Sequence, residues 1–170
     1  GIDGVTMATP LSAFKQDGIV VPLATLFAGV GQSAMGSSSA LASLAGGLYL
    51  CIRRTASWEI PVGMIGAAAL GAAAIRLLGA SGGWTVLHEL SGGALVFGAF
   101  FIATDPVSSP LSPRGKFIFG AGIGLLVIVI RKLTGYPEGV MFAVLIMNAV
   151  VPLINRWTVP SPLGGPMPVK

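Results

Sequence analysis

Residues 58–79 read WEIPVGMIGAAALGAAAIRLLG. The stretch carries charge only at Glu59, near its start, and at Arg76, near its end. It is long enough to cross the ~30 Å hydrocarbon core of a bilayer as one helix. Trp58 opens it, and Pro61 falls in the first turn, where a missing N–H is not needed. Its centre, from Gly66 to Ala74, is nearly all Ala and Gly, the side chains that let helix backbones approach closely in lipid. This stretch sets the fold class as α-helical and membrane-embedded.

Four more apolar segments lie outward from it. They are about 38–52, closed by Arg53-Arg54; 87–104, LHELSGGALVFGAFFIAT, stopped by Asp105-Pro106; 116–133, closed by Arg131 and Lys132; and 138–156, ending at Asn155-Arg156-Trp157. Composition agrees. The 170 residues are 54% hydrophobic and 9% charged, against about 25% charged in soluble domains, and mean hydropathy is +0.86. So few charges exclude a soluble enzyme, a disordered tail and a nucleic-acid-binding domain. The predicted architecture is an all-α polytopic bundle of about five transmembrane helices. Gly120 and Gly124 form a GxxxG, predicted to mark a helix–helix contact.

Before the first span, residues 19–30 are apolar but too short to cross, and Gly31–Ser39 reads GQSAMGSSS. This pattern predicts a re-entrant half-helix, with a Gly/Ser break that opens a small polar cavity inside the bundle. Residues 1–16 are a polar loop, 17–157 the transmembrane domain and 158–170 a Pro/Gly-rich tail. The opening Gly1-Ile2-Asp3 lacks a basic region followed by an apolar stretch, so the chain is expected to continue a longer protein. The net charge of +4 sits in loops. Arg53, Arg54, Arg114, Lys116, Arg156 and Lys170 collect on one side, against Lys15, Arg131, Lys132 and Arg76 on the other. The positive-inside rule makes the first side, with the C-terminus, cytoplasmic.

Few residues carry chemistry. Cys51, the single cysteine, reads as a small apolar side chain, and no metal site or catalytic group is expected. Asp105 reads two ways: a carboxylate near an ion or proton route, or a cap where the helix stops before Pro106. His88 reads as a hydrogen-bonding residue, Glu138 as a carboxylate suited to a helix N-terminus, and Asn148 as a bond between helices. Arg76 reads as snorkelling to the interface.

Asp3-Gly4-Val5-Thr6-Met7-Ala8-Thr9-Pro10 is a turn-rich loop by composition. It also resembles Asp-x-x-(Ser/Thr)-Gly-Ala-(Thr/Ser), the sequence at which a flavin transferase attaches FMN through a phosphoester. Asp3, Thr6, Ala8 and Thr9 match, and Met7 stands where the pattern has glycine. Further on, Gly92–Pro110, with FFIATDPVSSP at its end, Gly135–Val140 and Leu44–Gly47 resemble the RnfD/NqrB family, membrane proteins of the Rnf complex and of the sodium-pumping NADH:quinone oxidoreductase. The resemblance runs from Asp3 to about Trp157 and is nearer the RnfD branch.

The resemblance implies the C-terminal half of a protein with two repeats of five spans and a urea-transporter-like fold. It implies covalent FMN on Thr9, in a loop (residues 1–16) on the outer face of the bacterial inner membrane, and gives Asp105 a further reading as a group near the flavin. It implies a place among the other membrane and redox subunits of an ion-translocating ferredoxin:NAD oxidoreductase, with no independent turnover, and a flavin transferase as maturation partner. A second reading is half of a urea-transporter-type passive channel or solute transporter, in which the Thr9 loop is only a loop.

Overall fold

The computed structural model describes residues 11, 22–29, 39–77, 85–134, 136 and 138–160. Among the described residues there are helices and turns and no strand. The short α1 (Leu23–Ala28) starts after Pro22 and stops at Gly29, which takes the left-handed conformation (φ 75°) that ends helices at glycine. Ser39 Oγ donates to the Phe27 carbonyl at 2.8 Å and accepts from Ala42 N–H at 3.2 Å. One serine thus ties the end of α1 to the start of α2 (Ala40–Ile52). The short apolar helix expected within 19–30 is therefore present. The Gly/Ser break and its cavity lie outside the described residues.

α3 (Glu59–Leu77) and α7 (Val140–Thr158) are each long and apolar enough to cross a membrane. Only 33% and 28% of their most apolar stretches are buried. A core helix of a soluble protein would bury most of such a surface, so these faces call for lipid or further protein. α6 (Pro113–Leu133) is 21 residues long, about 31 Å at 1.5 Å per residue, with cations only in its first and last turns. It begins earlier than the predicted residue 116. Ser112 caps it, accepting from Gly115 N–H at 3.0 Å, and Pro113 takes the first helical position.

The expected third span, 87–104, is not one helix. It divides into α4 (Val86–Ser91), a break at Gly92-Gly93, then α5 (Leu95–Phe97) running into a π-helical turn over Gly98–Ile102. In that turn Ala103 N–H bonds to the Gly98 carbonyl at 2.7 Å, five residues back. The Phe97 and Phe101 rings stack with centroids 5.1 Å apart, and Phe100 packs where a Cβ on Gly47 of α2 would otherwise stand.

The core forms where α3 and α6 meet, the most extensive helix pairing among the described residues. Ile60, Met64, Ala68 and Ala72 recur every fourth residue on α3 and face Phe119, Ile123 and Val127 of α6, with Val140, Ala143 and Val144 of α7 closing over them. The GxxxG is the reason for the closeness. A Cβ on Gly120 would strike the Ile60 carbonyl oxygen, and one on Gly124 the Met64 carbonyl oxygen. The two backbones touch there without side chains between them.

Candidate functional site: a buried charge cluster at a broken helix

A helix break inside an apolar bundle leaves carbonyls and N–H groups without helical partners, and in lipid each must be satisfied by protein. Here side chains from α6 and the α6–α7 connection do this. Arg131, in the last turns of α6, has a side chain only 3% exposed. Its Nη1 donates to the Glu89 carbonyl at 2.6 Å, and its Nη2 to the Gly92 carbonyl at 3.1 Å. These are carbonyls at the C-terminal end of α4, where the partial negative charge of the helix favours a cation. On the far side of the break, the Glu138 Oε2 accepts from Ala94 N–H at 3.0 Å, at the start of α5.

The same groups bind one another. Arg131 Nη2 lies 3.1 Å from Glu138 Oε1 and Nη1 lies 3.5 Å from Glu89 Oε2. Lys132 Nζ lies 2.7 Å from Glu89 Oε1, whose side chain is 6% exposed. Two carboxylates thus face two cations, and the cluster balances without a further ion. Gly93 completes it. Its φ is +87°, and a Cβ there would run into the Glu138 carboxylate. Alongside, Thr85 caps α4 and its Oγ1 lies 2.6 Å from the buried His88 Nδ1. The arrangement fixes the discontinuity. It is also where ionisable groups gather within the apolar bundle, the usual mark of a functional position in a membrane protein.

Of the expected site residues, Asp105 alone is among those described. Asp3, Thr6, Ala8 and Thr9 lie outside the described residues. Asp105 is at the opposite end of the bundle, exposed, and accepts from Val107 N–H at 3.3 Å and Ser108 Oγ at 3.0 Å. It caps a turn after the helix stops, as its second reading has it. Glu138 precedes α7 as expected, but its carboxylate serves the start of α5. His88 makes a hydrogen bond, as read. The Asn148 Oδ1 is buried, and nothing bonds it among the described residues. No group of three or more His, Cys, Asp or Glu placed to hold a metal occurs among the described residues.

In the sequence Arg131 and Lys132 read as loop charges, whereas the structure pairs both with Glu89. The available signal was a glutamate just before Gly92-Gly93, inside an otherwise apolar segment.

The chain has relatives among known proteins. The pattern of the NQR2, RnfD, RnfE family matches residues 1–164. The chain is 44% identical over 173 residues to an ion-translocating oxidoreductase complex subunit of Vibrio vulnificus (strain YJ016), covering 96% of this chain and 48% of the relative. It is 41% identical over 181 residues to a proton-translocating ferredoxin:NAD(+) oxidoreductase complex subunit of Clostridium ljungdahlii, covering 96% and 53%. An ion-translocating oxidoreductase complex subunit of Haemophilus ducreyi is 42% identical over 171 residues, again with 96% and 48% covered. The chain spans about half the length of the curated relatives it matches.

Proposed function

Because the chain belongs to the NQR2, RnfD, RnfE family, we propose that it is part of a membrane electron-transfer subunit that carries FMN in phosphoester linkage to Thr9. The subunit acts within an ion-translocating ferredoxin:NAD oxidoreductase complex in the bacterial inner membrane. It works beside the other membrane and redox subunits and has no independent turnover. The observation that carries the reading is the conjunction of Asp3, Thr6, Ala8 and Thr9, at flavin-transferase spacing, with a family match that runs through the same residues.

The chemistry asked of the chain is modest. A phosphoester needs one accessible hydroxyl, and Thr9 supplies it. When bound, FMN supplies one-electron transfer, which suits a relay between neighbouring redox groups. The protein's part is to hold the anchor at a fixed place relative to the bundle. The buried cluster around Arg131 pins α4, α5, α6 and the start of α7 at one end of the bundle.

That end bears Arg131 and Lys132, while Arg53, Arg54, Arg114, Lys116 and Arg156 sit at the other, where Lys116 Nζ donates to Ser57 Oγ at 2.6 Å. The more basic end is assigned to the cytoplasm and the Thr9 loop to the outer face.

The test is in-gel flavin fluorescence. The full-length subunit, made alongside a flavin transferase and denatured, is expected to fluoresce under ultraviolet light, and Thr9→Val to abolish the signal. A fluorescent Thr9→Val protein removes Thr9 from the account. A dark wild type favours the channel reading.

A further inference from the structure

α7 (Val140–Thr158) carries a proline inside it, Pro152. Proline has no N–H, so the carbonyl four residues back, that of Asn148, loses its helical donor. The side chain of the same residue adds to the deficit. The Asn148 Oδ1 is buried and has no partner among the described residues. Asn148 stands about 12 Å from one end of α7 and about 15 Å from the other, at 1.5 Å per residue. Two acceptors thus lack donors at the middle depth of a spanning helix, where bulk water does not reach.

Their place on the helix shows from which side the deficit can be met. Met141, Leu145, Asn148 and Pro152 recur at intervals of four, three and four residues, which sets them on one face. Met141 and Leu145 are 65% and 68% exposed. Pro152 is exposed and Asn148 is half-buried. The amide therefore sits where this open face meets the packed one. Its two ends are nearly the same size, so a half-turn exchanges Oδ1 with Nδ2 without repacking. An acyl chain lying on this face offers neither donor nor acceptor. In spanning helices, a carbonyl freed by proline is satisfied by a hydroxyl side chain, an ordered water or a neighbouring helix. The hydroxyl of α7, Thr158, is spent on the Ile154 carbonyl.

We infer that this face of α7 docks a further spanning helix, which brings a neutral side chain able both to donate and to accept, a hydroxyl or an amide, to the level of Asn148. The freed carbonyl needs a donor and the Nδ2 group needs an acceptor. A carboxylate cannot donate, an ammonium cannot accept, and either is costly at that depth. The helix comes from the part of the subunit beyond this chain. The relatives are about twice as long as the chain that matches them, and a segment of the same polypeptide meets this face at high effective concentration. Docking requires the bundle to lie in a bilayer but does not require flavin on Thr9.

The test uses the full-length subunit in its purified complex, with a photo-crosslinking residue in place of Leu145. The product is sized on a gel and the captured partner identified by peptide mass spectrometry. The expected product is an internal crosslink to a segment of the same polypeptide outside these 170 residues, with Ser, Thr, Asn or Gln within one turn of the crosslink. Capture of lipid alone, of another subunit, of a second copy, or of a segment without such a residue overturns the inference.

A second measurement separates a hydrogen bond from mere contact. Asn148→Leu keeps a branched side chain and removes the amide. It should shift the SDS unfolding equilibrium of the full-length subunit about 3- to 10-fold toward the unfolded form, the range of hydrogen bonds between spanning helices. Within this bundle alone the same change removes a polar atom that has no partner, so an unchanged or raised stability contradicts docking. Alanine at the captured polar residue should add little to the loss in Asn148→Leu, and strictly additive losses also contradict it. Crosslinking and unfolding are read whether or not Thr9 is modified, so failure here and failure of the flavin reading are separate outcomes.

Discussion

Consider Gly124→Ala in α6. A Cβ there would overlap the Met64 carbonyl oxygen and lie 3.0 Å from Ala68 N, and a Cβ on Gly120 would overlap the Ile60 carbonyl oxygen. From the facing helix, a Cβ on Gly63 would lie 2.6 Å from the Phe117 carbonyl oxygen, about 0.8 Å inside the 3.4 Å at which ordinary contact begins. Each obstacle is backbone, so no side chain can swing aside. α3 must retreat along its length and loosen Ile60 and Met64 against Ile123 and Val127. Overpacking of this kind costs about 1–3 kcal/mol, and a backbone obstacle puts each alanine in the upper half, about 2–3 kcal/mol.

One retreat of α3 relieves both positions, so the Gly120→Ala/Gly124→Ala double variant should cost clearly less than the two singles together. Gly66→Ala is the control. It lies on α3 with nothing within 4 Å, and its effect should be under about 0.5 kcal/mol or slightly stabilising. The assay is unfolding of the full-length subunit in mixed micelles by increasing SDS, followed by helical circular dichroism. A Gly124→Ala protein as stable as Gly66→Ala, or a strictly additive double variant, would refute backbone-to-backbone packing of α3 on α6.

The charge cluster and the caps give further expectations. Arg131→Met leaves the Glu89 and Gly92 carbonyls without their donor while Glu89 keeps Lys132, and should destabilise by about 2–4 kcal/mol. Arg131→Lys should not restore the loss, since one ammonium cannot reach the Glu89 and Gly92 carbonyls and Glu138 together; melting of the purified subunit measures both. Ser112→Ala removes the acceptor for Gly115 N–H and should cost about 1 kcal/mol by the same measurement. Asp105→Asn keeps a side-chain oxygen for Val107 N–H and should leave flavin-linked electron transfer intact. A large loss of electron transfer, with stability unchanged, would return Asp105 to the ion or flavin route.

How far these features were legible depends on how local their causes are. α3 and α7 lie close to the predicted runs because length and apolarity are local properties. The GxxxG of α6 also pointed correctly to a helix contact, because only small residues permit that approach. α6 starts three residues before its apolar run, because Ser112-Pro113 is a local start signal that hydropathy does not register. The break in the third segment was harder to see. Gly92-Gly93 is visible in the sequence, but glycine is common throughout this chain. What turns the pair into a break is Arg131 and Glu138, about 40 residues away. Long-range pairing of this sort leaves no period or spacing to read.

The measurement that bears most directly on the account is peptide mass spectrometry of the protein purified in its native complex. The account predicts one adduct of about 438 Da, FMN joined with loss of water, on the Thr9 hydroxyl. An unmodified Thr9 in a complex active for electron transfer, or the same adduct on a different residue, would contradict it.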